Sequence, residues 1–286
     1  MNHTKLSYIQ EHLPPRRPDG NKSTFGRALL ICGSDNMRGA AFLSVRGALR
    51  TGAGLVTLAS TEKVLDKLCA TLPEALTYNI EDDVAGKAAE MQAVALGPGL
   101  GKSARAAELL QKLLESEGAP LVLDADGLNL LSEDVSRLSA KRRAVILTPH
   151  PLEFSRLCGR SVEEIQGARV ELAAGFAKEY GVTLLLKGSG TVITDGARTL
   201  INPTGNTALS KGGSGDVLTG VITALLTQGA SPFDAAVLGA YLHGLAAERL
   251  SAVYSEYGVL ASEVADEVAR VLSDITRKKE TNHARI

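Results

Sequence analysis

Asn206-Thr207-Ala208-Leu209-Ser210-Lys211-Gly212-Gly213-Ser214-Gly215-Asp216-Val217-Leu218-Thr219-Gly220 packs three glycines into four residues, then a carboxylate, then an apolar run. Without side chains at 212, 213 and 215, a bound group can approach the backbone amides closely. Val217, Leu218, Val221, Ile222 and Leu225 then recur on one face of a helix. A glycine loop entering a helix presents free N–H groups and the positive end of the helix dipole, an anion site suited to phosphate. The same field is expected to hold Asp216 ionised, where it can take a proton from a hydroxyl. A tight turn followed by a capping acid would leave the same pattern. The rest of the chain has to decide between them.

The 286 residues carry 31 Lys and Arg against 32 Asp and Glu, a formal net charge of −1. That balance gives no electrostatic case for nucleic acid or a membrane surface. Trp is absent and aromatics are 4%, so base-stacking platforms are not indicated. A hydrophobic fraction of 44% supports a large core, and 29 glycines suit loops that wrap a nucleotide or phosphate. Cys32, Cys69 and Cys158 are odd in number and far apart, with no CxxC or Cys/His spacing for zinc. They are expected to be reduced, buried thiols of a cytoplasmic protein. Residues 1–21 carry prolines and charges without an apolar core, unlike a signal peptide. No apolar run approaches the roughly 20 residues of a membrane span.

Working outward, apolar bursts ending in glycine or polar loops predict strands at 28–32, 55–59, 93–96, 121–123, 144–147 and 183–186. Helices are predicted at 41–51, 62–70, 103–115, 163–180, 215–228, 233–250 and 261–275. Val192-Ile193-Thr194 and Thr199-Leu200-Ile201 flank Asp195-Gly196, a hairpin signal. Strand–helix alternation argues for one α/β domain over 1–286 with a mostly parallel sheet. Residues 1–24 read as an N-terminal arm or short helix ending at Pro14-Pro15, and 277–286 as a frayed tail. The special residues all fall just after strands, where open parallel sheets bind ligands.

Gly97-Pro98-Gly99-Leu100-Gly101-Lys102-Ser103 has one residue too few for a phosphate-binding P-loop and lacks dinucleotide spacing, which leaves a flexible backbone loop beside a ligand, or a plain turn. Asp124 and Asp126 fit either Mg²⁺ held through water or a helix cap. His150 stands between two prolines on a rigid turn, as a ligand contact or a solvated side chain. Glu153 reads as an acid at a helix start, with a metal-linked carboxylate as the alternative. Lys187-Gly188-Ser189-Gly190-Thr191 sets a cation and two hydroxyls among glycines, chemistry that suits a nucleotide phosphate.

Six runs occur in order: Gly33-Ser-Asp-Asn-Met-Arg-Gly-Ala40, Gly97-Pro-Gly-Leu-Gly101, Leu123-Asp-Ala-Asp-Gly-Leu-Asn129, Thr148-Pro-His-Pro-Leu-Glu153, Lys187-Gly-Ser-Gly-Thr191 and Gly212-Gly-Ser-Gly-Asp216. Together they closely resemble the ADP/ATP-dependent NAD(P)H-hydrate dehydratases of the ribokinase-like superfamily, over about residues 25–272. Many bacterial members carry an N-terminal epimerase domain; this chain resembles the stand-alone form. The resemblance implies a three-layer ribokinase-like sandwich, helices on both faces of a mostly parallel sheet. It implies repair of hydrated NADH or NADPH, with ADP (or ATP) and Mg²⁺, giving AMP and phosphate. Asp216 would be the base, with Gly213, Ser214 and Gly215 forming the anion hole. Ala40, Gly99, Gly101, His150 and Asp216 would contact the hydrated dinucleotide, and Lys187, Gly188, Ser189, Gly190, Thr191 and Gly215 the nucleotide. Mg²⁺ ligands are left unassigned. Relatives suggest a homotetramer. The alternative is a hydroxymethylpyrimidine or hydroxyethylthiazole kinase of the same superfamily, which would use the same Asp and anion hole. A nucleotide-binding module without catalysis is a third reading, against which Asp216 argues.

Overall fold

Alternate residues of each central strand enter two separate cores. Ala28, Leu30 and Cys32 join one hydrophobic cluster, Leu29 and Ile31 the other. This two-residue period means both faces of the sheet are covered. The structure is a computed structural model that describes residues 2–283, with side chains to residue 277. Its elements are α1 (Leu6–His12), β1 (Arg27–Ile31), α2 (Arg38–Thr51), β2 (Leu55–Ser60), α3 (Glu62–Thr71), β3 (Leu76–Asn79), α4 (Val84–Ala89), β4 (Ala93–Leu96), α5 (Ala104–Glu115), β5 (Leu121–Leu123), α6 (Asp126–Leu131) and β6 (Val145–Leu147). There follow α7 (Pro151–Cys158), α8 (Val162–Gly167), α9 (Arg169–Tyr180), β7 (Thr183–Leu186), β8 (Val192–Thr194), β9 (Thr199–Ile201), α10 (Ser214–Thr227), α11 (Pro232–Gly258) and α12 (Ala261–His283).

The strands form one sheet in the order β3-β2-β1-β4-β5-β6-β7-β8-β9. Pairing is parallel as far as β7 and antiparallel through β8 and β9. After β3 the chain crosses back to place β4 on the other side of β1, so the switch in strand order lies between β1 and β4. Their loops meet there: the Gly33 N–H donates to the Pro98 carbonyl at 2.8 Å and the Gly97 N–H to the Ile31 carbonyl at 3.1 Å. A crevice at such a switch point is where open α/β sheets take ligands.

Helices α2 and α10 pack face to face on one side of the sheet. A Cβ at Gly220 would lie 2.0 Å from the Ser44 carbonyl oxygen, and one at Gly47 2.5 Å from that of Val217. The order of contacts, Leu43 to Gly213, Gly47 to Val217 and Thr51 to Gln228, shows the two helices running parallel. Both N-termini therefore open at the same sheet edge. α12 is clamped to α2 through Asp266, which takes the Arg50 guanidinium at 2.7 Å and also pairs with Arg46.

Several elements differ from the sequence expectation. β3 was not foreseen because it is an edge strand with exposed Leu76 and Thr77 and no apolar run. α6 and α7 start inside motifs that read as loops. The helix expected over 163–180 is two helices, broken at Ala168, whose φ of −141° and ψ of 42° are not helical. α11 continues past 250 to Gly258, with a non-helical Ser255. α12 runs to His283, and the last residues expected to fray, 284–286, lie outside the described residues. The three cysteines are free, but only Cys32 is buried; Cys69 is exposed, because α3 turns Val64, Leu65 and Leu68 inward instead.

The α2–α10 contact yields a stability test. Alanine normally favours a helix over glycine by about 1 kcal/mol, yet at Gly220 its methyl meets backbone. Gly220→Ala should lower unfolding free energy by about 1–3 kcal/mol. Gly175→Ala, where a Cβ meets nothing within 4 Å, should be neutral or stabilising. Urea denaturation of the two variants checks both.

Candidate active site

Gly213 caps α10 with φ of +92°, a conformation side chains resist, and a Cβ there would strike Leu43. The chain thus turns abruptly into the helix at Ser214. The amides of Gly215 and Asp216 lie in the first turn, where helix geometry supplies no carbonyl partner. With the helix dipole they make an anion cradle. Ser214 is buried, and Gly215 lies over an ion pair: a Cβ there would be 3.4 Å from Lys187 Nζ and 3.6 Å from Asp124 Oδ2.

That pair is the electrostatic centre of the site. Asp124, 1% exposed at the end of β5, accepts from Lys187 Nζ at 2.8 Å and from the Thr219 hydroxyl of α10 at 2.8 Å. Glu153, also buried, lies 3.8 Å from Lys187 Nζ. Burial alone would lower the Lys187 pKa, but Asp124 and Glu153 outweigh it, and the ammonium stays charged. The Lys187 N–H donates to the Pro149 carbonyl at 2.8 Å, and Arg169 grips the Leu186 and Lys187 carbonyls at 3.0 and 3.2 Å. The ends of β5, β6 and β7 are thereby tied to the start of α10.

Asp216 responds to this surrounding. Burial, and then the neighbouring Asp124 carboxylate, push its pKa up to about 6, against the pull of Lys187; Asp126 adds to the rise. The expectation that the helix field simply holds this acid ionised is thus corrected. Desolvation and two carboxylates outweigh the field, and Asp216 is ionised at neutral pH but basic for a carboxylate. That is the poise of a general base.

The sequence-predicted residues fall into two groups. Lys187, Gly188, Ser189, Gly190, Thr191, Ser214 and Gly215 line one cavity of about 550 Å³. Ala40, Gly99, Gly101, His150, Gly213 and Asp216 do not line it. Ala40 lies at the start of α2, where a Cβ on Gly99 would come within 2.7 Å of its methyl. The Gly101 N–H donates to Asp126 Oδ2 at 2.8 Å. Ala40, Gly99 and Gly101 gather at the switch point, His150 stands apart at the end of β6, and the first turn of α10 adjoins Leu43 of α2 on one side and the Lys187–Asp124 pair on the other.

His150 proves to be the N-cap of α7. Its Nδ1 accepts from the Glu153 N–H at 3.1 Å, while Glu153 Oε2 accepts from the His150 N–H at 2.8 Å, a reciprocal capping box. Glu153 is therefore the helix-start acid that was expected. Burial lowers the His150 pKa, opposed by Glu153 and reinforced by Lys187, so the ring is neutral with half of its surface open. Neither Asp124 nor Asp126 is left as an open metal ligand. Asp124 is committed to Lys187 and Thr219, and Asp126 takes the Gly101 N–H and the Asn129 amide at 3.3 Å. Among the described residues no cluster of three His, Cys, Asp or Glu side chains could cage a metal. The residues do not fit a protein-caged Mg²⁺.

Sequence reasoning missed Thr219, His243 and Asn202. Thr219 stood inside the quoted stretch but reads as helix interior. His243 is a single histidine in the apolar run of α11, and Asn202 follows a strand with no motif around it. Only the cavity they share with Ser214 shows that His243 and Asn202 belong to the site.

Removing the cation strands a buried carboxylate. Lys187→Met should destabilise the protein by about 3–5 kcal/mol, and adding Asp124→Asn in the same chain should restore part of the loss. Chemical denaturation of the single and double variants reads both.

A sequence-family profile described as NAD(P)H-hydrate dehydratase matches residues 28–270. The ADP-dependent (S)-NAD(P)H-hydrate dehydratase of Bacillus subtilis is 39% identical over 92% of this chain and 95% of its own length. The bifunctional NAD(P)H-hydrate repair enzyme Nnr of Moorella thermoacetica is 38% identical over 96% of this chain and 54% of its own. The chain thus spans about half the length of the bifunctional relatives it matches. The crystal structure of the Bacillus subtilis ADP/ATP-dependent NAD(P)H-hydrate dehydratase, co-crystallised with ATP and Mg²⁺, superposes with a TM-score of 0.87 at 36% identity, covering 96% of this chain and 98% of that one. The sandwich is ribokinase-like, as the motifs implied. By its fold, its motif order and the profile match, the chain belongs to the NAD(P)H-hydrate dehydratase family.

Proposed function

We infer that the chain is an ADP-dependent (S)-NAD(P)H-hydrate dehydratase that returns hydrated NADH and NADPH to their active forms. The observation that carries this reading is Asp216, with its pKa pushed up to about 6, in the first turn of α10 beside the phosphate-suited cavity. In the proposed sequence Asp216 takes the proton of the C6 hydroxyl. That oxygen attacks the β-phosphorus of ADP, the bond to the bridging oxygen breaks, and AMP leaves. The amides of Gly215 and Asp216, with that of Gly213 before them, hold the charge that gathers on the phosphoryl oxygens, while the Ser214 N–H donates to the Lys211 carbonyl at 3.4 Å. The C6–O bond then breaks, phosphate departs, C5 loses a proton, and the C5–C6 double bond returns. Lys187 and the 188–191 loop hold the nucleotide. Ala40, Gly99, Gly101 and His150 form the dinucleotide side.

Mg²⁺ enters this reading only as the counter-ion that a nucleotide diphosphate carries; no step is assigned to it. The same reading takes 1–286 as one catalytic domain. A single sheet carries both residue groups, and Ile9 of the N-terminal arm is buried in its core. A cytoplasmic homotetramer using ADP in preference to ATP belongs to the same reading, on the strength of the resemblance. No helix among the described residues is long and apolar enough to cross a membrane. Membership of the family weighs against the vitamin-alcohol kinase alternative.

Purified protein given chemically prepared NADH hydrate and ADP, or ATP, with Mg²⁺ should restore the dihydronicotinamide absorbance only when nucleotide is present. No recovery with either nucleotide would reject the reaction. Asp216→Asn should lower turnover by about 10²–10⁴-fold while ADP still binds in calorimetry. Because the base works only when ionised and its pKa is raised to about 6, kcat/KM should be full above that pH and fall as pH drops through it. A profile flat down to pH 5 would remove Asp216 as the base.

A further inference from the structure

α11 forms one wall of the cavity, and most of its polar contacts with the opposite loop are already made. Asn202 Nδ2 donates to the Ala240 carbonyl at 3.2 Å, and Thr204 Oγ1 to the Tyr241 carbonyl at 2.9 Å. Gly244 seats directly on Thr204, where a Cβ would lie 2.4 Å from Oγ1. His243 is the exception. It lines the cavity, is 5% exposed, and its buried Nε2 has no hydrogen-bond partner. Buried polar groups in native interiors are almost always satisfied, and an orphan needs an explanation.

Its surroundings say what kind of partner is missing. Burial pulls the His243 pKa down to about 4, opposed by the Ser214 backbone and reinforced by Lys187, so the ring is neutral at pH 7. Ser214 and Lys187 also fix its place. It lies beside the start of α10. In a nucleoside diphosphate the group next to the phosphates is the ribose. The Ser214 backbone raises the pKa as a carbonyl taking a ring N–H would, and with Nε2 unpartnered that N–H is Nδ1's; Nε2 of the neutral ring is then an acceptor, and a ribose hydroxyl can donate to it. A carbonyl or a phosphate oxygen, which cannot donate, would leave Nε2 unsatisfied.

We propose that His243 is a nucleotide-binding residue whose Nε2 hydrogen-bonds a ribose hydroxyl of ADP in this cavity. The assignment rests on the nucleotide reading of the cavity given above. It makes His243 a determinant of nucleotide affinity, separate from proton transfer at Asp216.

The test is calorimetric titration of ADP, 2′-deoxy-ADP and 3′-deoxy-ADP into the full chain and its His243→Leu and His243→Gln variants, without hydrate. His243→Leu should weaken ADP about 3- to 10-fold, as loss of one neutral hydrogen bond does. His243→Gln, which keeps a polar end, should lose less. One deoxy analogue should bind the wild type more weakly and lose nothing further in His243→Leu. Equal ADP affinity in wild type and His243→Leu overturns the proposal, as does an equal penalty for ADP and both analogues. If the Leu variant does not fold, equal wild-type affinity for all three nucleotides overturns it. Wild type that binds no ADP overturns the nucleotide reading and this inference together. Wild type that binds ADP but leaves the hydrate unrepaired overturns only the reaction.

Discussion

The buried pair between Lys187 and Asp124 is the interaction on which the site depends. A carboxylate that is 1% exposed survives only with a cation and a hydroxyl on its two oxygens, and Lys187 and Thr219 supply them. Those partners come from β5, from the end of β7 and from α10. The pair thus fixes the first turn of α10 over the sheet edge. It also sets the chemistry: with Lys187 shared between Asp124 and Glu153, its charge only partly offsets the carboxylates around Asp216. Asp216 is left a stronger base than an exposed aspartate, at no cost in added residues.

Helix packing provides the second constraint. Gly47 and Gly220 let α2 and α10 approach to backbone contact, and the parallel arrangement brings Ala40 and Gly213 to one edge. The switch between β1 and β4 brings the Gly33 and Gly97–Gly101 loops to the same edge. A large dinucleotide needs small residues along its path, and this edge is lined with them. The cavity lined by Lys187 to Thr191 takes Ser214 and Gly215 of the same helix turn into its wall. One turn of α10 can therefore serve two ligands without either blocking the other.

Much of this was legible because the signals are local. The apolar bursts of the central strands other than β3, the glycine entry to α10 and the Asp195-Gly196 turn each depend on neighbours within a few residues. The Asp195 carboxylate indeed takes the Ala197 and Arg198 amides. The motif order carried the family. Elements were missed where the local signal was weak or was read as loop: β3 lacks an apolar run, α7 hides behind Pro149 and Pro151, and the break at Ala168 has no proline or glycine at its own position. Glu153 was legible as a helix-start acid, but the reciprocal bonds by which His150 caps that helix were not, because they depend on how the imidazole turns.

The sequence by itself determined the fold class, the glycine entry to α10 and the position of the carboxylate proposed as the base, since these follow from period, glycine placement and residue type along short stretches. The tertiary structure alone decided how strong that base is, which way the Lys187 charge points, and that His243 and Asn202 belong to the cavity. The reason is physical. A pKa depends on burial and on charges brought from far along the chain, and a lone histidine in an apolar helix shows its role only when the opposite wall is in place.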